Sequence, residues 1–170
     1  TYMRIPNEAN YLVEIPGYKS YLAGIFGLDE NGWRNPLVFQ MNWTNLSTVR
    51  LFYPNRSQDD LQISFDNRRL KLAGLEEADS AKLGNFIDEI SLFYVNDYLT
   101  SREVDSSKIK QTVATIAVRD IAKNEYTVEV FGEASATEYF VRIDSTDMAL
   151  MQKQMINRAT KPKAYFRRSN

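Results

Sequence analysis

The strongest constraint on the fold is a series of three short segments with alternating polarity. They are TVRLFY (48–53), LQISF (61–65) and RLKL (69–72), separated by polar turn residues. In the first, Val49, Leu51 and Tyr53 fall on one side, and Arg50 and Phe52 fall on the other. A period of two residues between turn signals is typical of strands with one buried face. The sequence therefore predicts an antiparallel meander here.

A second signal is the longest amphipathic stretch, from Ser80 to Leu99. Its large apolar residues recur at helical spacing, and Asp79 or Ser80 can cap the first turn. Burying each of these side chains contributes about 1.5–3 kcal/mol, which exceeds the roughly 1 kcal/mol cost of Gly84 inside the helix. We therefore predict a helix over about residues 80–99 that anchors a sheet.

The second half contains similar strand signals. TIAV (115–118) follows TVRL (48–51) by 67 residues, VEV (128–130) follows LQI (61–63) by the same interval, and EYFVRI (138–143) adds a strand. One more strand and a short helix near 154–159 complete the pattern. The sequence predicts an α+β fold, with antiparallel sheets and helices packed on one face. Two interpretations stay open: a single compact fragment over 1–170, or two repeated meander-plus-helix units within 1–100 and 101–170.

Composition narrows the chemistry. The chain has no cysteine and no histidine, so thiolate nucleophiles, Ser-His-Asp triads and the usual zinc sites are excluded within it. A net charge of −1 gives no global attraction to nucleic acid. We therefore predict a non-enzymatic protein with no metal, no cofactor and no nucleic-acid partner.

The densest group of candidate site residues lies in YLVEIPGYKSYLAGIFGLDENGWR (11–34). The candidate binding residues there are Tyr18, Tyr21, Trp33 and Arg34. Arg34 could clamp a carboxylate or phosphate beside an aromatic wall. Alternatively, Trp33 fixes a helical segment over 18–26 to the core, and Arg34 pairs with an acid of the preceding turn.

A candidate basic surface lies near the carboxy terminus. It consists of Lys161, Lys163, Arg167 and Arg168, interleaved with Tyr165 and Phe166. Such a surface could contact anionic lipid head groups or phosphates. The alternative is a solvated helix and tail.

Three clusters of acidic residues are candidates for a metal site or for the carboxylates of a hydrolase. They are Asp29-Glu30-Asn31-Gly32, Asp59-Asp60 and Glu76-Glu77 with Asp79. The first lacks the alternating ligands of a calcium loop. The others flank a loop and a helix start, where solvation and the helix dipole favour acids. We interpret all three as structural.

The combination YLVEIPGYKSYLAGIF, WRNPLVF, STVRLFYP, LQISF and LKL resembles the carboxy-terminal part of a family of bacterial membrane-anchored envelope proteins, classed as a domain of unknown function. The resemblance covers residues 1–98 and, more loosely, the strands after 112. It implies a membrane tether in a preceding part of the protein and a location on the periplasmic side. It also implies an auxiliary role, for example in a transporter-associated assembly, and it supplies no catalytic residues.

Two functional hypotheses follow. The first is a non-enzymatic extracytoplasmic envelope module that binds a protein partner in a membrane assembly. The alternative is a small-molecule or glycan binder, or a weak carboxylate-based hydrolase. This alternative requires a concave pocket lined by Trp33, Tyr18 and Arg34.

Overall fold

The chain divides into two compact units, Thr1–Arg34 and Asn35–Asn170. The computed structural model describes residues 2–17, 22–66 and 69–168. This division differs from the predicted boundary near residue 100, because the central strands before and after that point pair in one sheet.

The first unit is small and built from short elements. These are β1 (Tyr2–Arg4), β2 (Asn10–Leu12), α1 (Ala23–Phe26) and α2 (Glu30–Trp33). β1 and β2 pair antiparallel as a two-stranded sheet. The predicted turn at 29–32 is instead the start of α2, because the Asp29 carboxylate accepts the Gly32 N–H at 2.9 Å and caps the helix.

The second unit contains ten strands and two α-helices among its described residues. In chain order they are β3 (Leu37–Gln40), β4 (Leu46–Phe52), β5 (Leu61–Asp66), β6 (Arg69–Leu72), α3 (Ser80–Glu89), β7 (Leu92–Tyr94), β8 (Asp97–Tyr98), β9 (Ala114–Asp120), β10 (Glu125–Glu133), β11 (Glu138–Ile143), β12 (Asp147–Gln152) and α4 (Lys153–Ala159). Eight form an antiparallel sheet in the order β6-β5-β4-β9-β10-β11-β12-β8, and β3 pairs with β7. The α+β prediction is confirmed at this level.

One face of the eight-stranded sheet carries the core. A row of buried side chains crosses it through Leu61, Leu51, Ile116, Val128 and Ile143, each paired with the next. Buried side chains of α3 and α4, among them Phe86 and Ile156, belong to the same apolar cluster. The strand alternation in the sequence therefore corresponds to one face packed under helices.

The predicted helix over 80–99 is too long. α3 ends at Glu89, and the chain then forms β7, where the Met41 N–H donates to the Ser91 carbonyl at 2.7 Å. Phe93 stacks on Phe39 at 5.0 Å rather than extending the helical stripe. Burial alternates from Leu92 to Val95, so a strand pattern overlaps the apparent helical one. The predicted cap is confirmed, because Asp79 accepts two N–H groups of the first turn.

The assignment of Phe86 to the core and of Phe52 to the surface predicts that alanine substitution at these two positions has very different effects on stability. Phe86 is fully buried and meets Phe166 edge-on at 5.2 Å, whereas Phe52 is 42% exposed. We expect Phe86→Ala to lower the free energy of unfolding by about 3–5 kcal/mol. The matched control Phe52→Ala should cost less than about 1 kcal/mol. Urea unfolding followed by circular dichroism measures both, and equal losses would contradict the assignment of the core face.

Candidate functional site

Trp33 and Arg34 end the first unit on a short helix. The Trp33 side chain is 55% exposed, and its ring lies 6.4 Å from that of Phe26 in a tilted arrangement. Arg34 is half-buried, and its backbone N–H donates to the Asn31 carbonyl. Trp33 therefore contacts α1 without entering the core. Tyr18 and Tyr21 lie outside the described residues.

The first unit exposes nearly all of the large apolar side chains that the structure describes in it. We call these the amino-terminal apolar set: Tyr2, Met3, Ile5, Tyr11, Leu12, Ile15, Phe26, Leu28 and Trp33. They are nine of the seventeen large exposed apolar residues found among the described residues, within a unit of 34 residues. Leu22 is the buried member of the unit's described side chains. Sequence analysis missed this set, because patterns alone do not show which apolar residues stay exposed.

The backbone of the carboxy-terminal segment is held against other parts of the second unit. Phe166 is fully buried, and its carbonyl accepts the Asp79 N–H at 2.8 Å. The Lys82 ammonium donates to the Arg167 carbonyl at 2.7 Å. The Tyr53 hydroxyl donates to the Lys161 carbonyl at 2.9 Å. These contacts anchor the backbone of the segment, whereas the side chains of Arg167 and Arg168 are exposed to solvent.

The candidate basic surface is not uniformly basic. The ammonium groups of Lys161 and Lys82 lie 5.4 and 5.9 Å from the Tyr165 ring centroid, as in cation–π contacts. Lys163, Arg167 and Arg168 complete the predicted set on the same segment. Arg167 bridges to Ala78, however, and Ala78 is flanked by the acids at 76, 77 and 79. The backbone of Arg167 therefore lies beside an acidic stretch of the chain.

The other predicted carboxylate groups have structural partners. Asp60 accepts the Tyr53 N–H at 2.7 Å, and Asp59 lies 3.8 Å from the Arg56 guanidinium. Asp79 and Asp29 cap helices. Among the described residues, no three acidic side chains are grouped so that they could hold a metal ion.

Residues of the second unit line four surface grooves, and neither Trp33 nor Arg34 is among the lining residues. Two adjoin the edge strand β6 and have volumes of about 440 and 380 Å³. The other two, of about 500 and 230 Å³, lie beside the start of α4. The pocket required by the small-molecule or hydrolase alternative does not coincide with any of these four.

Tyr53 has the clearest electrostatic perturbation. Burial raises the pKa of its phenol far above the ordinary value, and the nearby Arg56 guanidinium opposes this only in part. The phenol is 2% exposed and donates its proton to the Lys161 carbonyl. It therefore stays neutral and acts as a fixed donor that holds the carboxy-terminal segment.

Comparisons with known proteins add no assignment. No family model, no curated protein and no solved structure matches this chain. Among the described residues, every helix is too short or too polar to cross a membrane.

Tyr53 predicts an alkaline loss of stability. In the unfolded chain its phenol ionises near pH 10, whereas burial raises the pKa in the folded state. The stabilisation that the protonated Tyr53 phenol gives to the folded state is therefore complete below about pH 10 and decreases as the pH rises above that value. We expect Tyr53→Phe to cost about 1–2 kcal/mol at pH 7 through the lost hydrogen bond. This difference from wild type should shrink above about pH 10.

Urea unfolding at several pH values measures this difference. Tyr165→Phe is the matched control, since Tyr165 is 37% exposed and its hydroxyl makes no described hydrogen bond. A Tyr53→Phe deficit that does not change with pH would contradict the role assigned to burial.

Proposed function

We propose that this chain is a non-enzymatic extracytoplasmic envelope module that binds a protein partner through the amino-terminal apolar set. The observation that carries this proposal is the concentration of exposed aromatic and aliphatic side chains in the first unit. Monomeric soluble proteins rarely leave large apolar surfaces exposed unless these surfaces bind something. Aromatic residues such as Trp33 are also the side chains that most often dominate protein interfaces.

The local structure of the first unit supports the same proposal. All six residues of β1 and β2 are exposed. A two-stranded sheet is marginally stable in water by itself, so it benefits from an additional surface to pack against. Each large apolar side chain that a partner buries would contribute about 1.5–3 kcal/mol before the costs of association. A partner therefore provides the burial that the first unit lacks.

The proposed location rests on the resemblance to membrane-anchored envelope proteins. A tether in a preceding part of the protein would hold the module on the periplasmic side, and the partner would belong to a membrane assembly, for example one associated with a transporter. The absence of cysteine is compatible with that compartment.

We also propose that the second unit contains two related meanders. β4-β5-β6 precedes α3, and β9-β10-β11 precedes β12 and α4. Their first strands adjoin, and Val49 pairs with Val118 while Leu51 pairs with Ile116. Ile116 and Val118 stand 67 residues after Val49 and Leu51, so each of these two residues pairs with the counterpart of the other. This symmetry supports the proposal. It does not extend to the second strands, since Leu61 pairs with Leu51 whereas Val128 pairs with Ile116.

The proposal predicts that Trp33→Asp removes partner binding without unfolding the protein. The intact protein would be cross-linked and captured from membranes of its own host, and the recovered proteins compared between variants. A charged side chain at a central aromatic contact should weaken binding by roughly 30-fold or more. Ile121→Asp is the matched control, since Ile121 is 67% exposed and lies in the second unit.

The expected result is a reproducible partner with wild type and Ile121→Asp, and its loss with Trp33→Asp. The proposal would be contradicted if wild type captured no reproducible partner, or if Trp33→Asp and Ile121→Asp captured equal amounts of it. Thermal unfolding of each variant verifies that the second unit remains folded.

A further inference from the structure

The edge of the eight-stranded sheet at β6 offers a second binding surface, independent of the amino-terminal apolar set. β6 ends the strand order, with β5 on its other side. The Ala73 N–H donates to the Gln62 carbonyl at 2.9 Å, which marks a hydrogen-bonded pair. Because such pairs alternate in antiparallel sheets, Lys71 and Arg69 direct their backbone groups toward β5. Leu70 and Leu72 direct theirs to the open side.

Three backbone groups are available on that open side. The Leu72 carbonyl is used by the Leu75 N–H at 3.2 Å. The Leu72 N–H and both backbone groups of Leu70 have no partner among the described residues. A neighbouring strand could therefore exchange two hydrogen bonds with Leu70 and accept a third from Leu72. This is the arrangement used when an extended peptide adds a strand to a sheet.

A trough accompanies this edge on the side of the sheet that carries the core. The grooves of about 440 and 380 Å³ both include Leu70 and Ser80 in their walls. The walls of the first groove also include Leu75 and Ala78, together with the charged residues Lys71, Glu76 and Arg168. The walls of the second also include the 40%-exposed Trp43 and Arg69. Alternate residues of an added strand would stand about 6.6 Å apart on this side. Leu70, Leu75 and Trp43 therefore offer apolar contacts to alternate side chains of one peptide, within a trough whose walls also carry charged residues.

The basic residues of β6 select the peptide. Arg69 and Lys71 are both exposed and alternate with Leu70 and Leu72. Acidic residues opposite them would form favourable cross-strand pairs. A second copy paired antiparallel about Leu70 would instead set Arg69 of one copy against Lys71 of the other. Like charges placed opposite each other disfavour that pairing, as basic residues on edge strands generally do.

We propose that β6 binds an extended segment of another protein in which acidic and apolar residues alternate. The backbone of Leu70 and Leu72 provides the hydrogen bonds, the trough receives the apolar side chains, and Arg69 and Lys71 pair with the acids. This site uses only residues of the second unit. It would stand even if the amino-terminal apolar set bound nothing.

A synthetic peptide of about eight residues, typical of a strand, that alternates Asp and Val tests the proposal on the whole chain. Its affinity is compared with that of a peptide alternating Lys and Val. We expect the acidic peptide to bind about tenfold more tightly, because two pairings change from attraction to repulsion. Arg69→Glu combined with Lys71→Glu should reverse this preference. Hydrogen exchange should slow at the Leu70 and Leu72 amides when the acidic peptide is added.

Leu70→Pro provides the test of backbone pairing. Proline removes the outward N–H of Leu70 but no hydrogen bond to β5, so an edge strand can accept it. Leu70→Ala is the matched control, since it shortens the same side chain and keeps the N–H. We expect Leu70→Pro to bind the acidic peptide at least fivefold more weakly than Leu70→Ala. If the proline variant does not fold, the charge reversal at Arg69 and Lys71 still decides the question.

Several results would overturn the proposal. The first is that the Leu70 amide gains no protection from exchange at about 1 mM acidic peptide, a concentration at the weak end of specific binding. The second is that the two peptides bind with equal affinity. The third is that the proline and alanine variants bind the acidic peptide equally well. Dimerisation of the chain that Leu70→Pro abolishes would identify a second copy as the occupant and would also overturn it. Analytical ultracentrifugation measures that outcome.

Discussion

The pairing of β4 with β9 is the interaction on which the second unit depends. It joins strands separated by more than sixty residues and brings Val49 against Val118 and Leu51 against Ile116, all four buried. Closing so long a connection carries an entropic cost that grows only slowly with length, and buried apolar rows on both sides offset it. Without this pairing, the two meanders would be separate sheets with two further exposed edges.

The same pairing determines where the sheet ends. Because β4 and β9 are central, each meander extends outward from them, and β6 and β8 become the edges. β8 has only two residues, which limits its capacity to pair with another chain. β6 has four residues and carries basic side chains on one side of the strand. The proposed peptide site at β6 is therefore a consequence of how the meanders join.

The periodicity of apolar residues correctly predicted strands of the eight-stranded sheet. It failed where a helical pattern and a strand pattern fit the same residues. The strand at 69–72 has the predicted bounds, because its exposed residues alternate with more buried ones. The strand at 138–143 also has the predicted bounds, although none of its residues is exposed. Over residues 92–95 the apolar residues fit both a helical stripe and a strand, and pairing with β3 decides the outcome. That pairing depends on residues about fifty positions away, which no local window contains. The trough beside β6 has the same origin, since Trp43, Leu70 and Ser80 meet only in the folded chain.

The two proposed surfaces use different physical interactions and therefore suit different partners. The amino-terminal apolar set offers side chains whose burial is favourable for almost any complementary apolar surface, so its selectivity must come from shape. The β6 edge adds to its apolar contacts a fixed direction of hydrogen bonding and two basic residues, so its selectivity comes mainly from backbone extension and charge. Hydrophobic burial is insensitive to moderate salt, whereas exposed charge pairs are screened within about 8–10 Å at physiological ionic strength. A protein with both surfaces can hold one partner firmly while the second contact responds to its ionic environment.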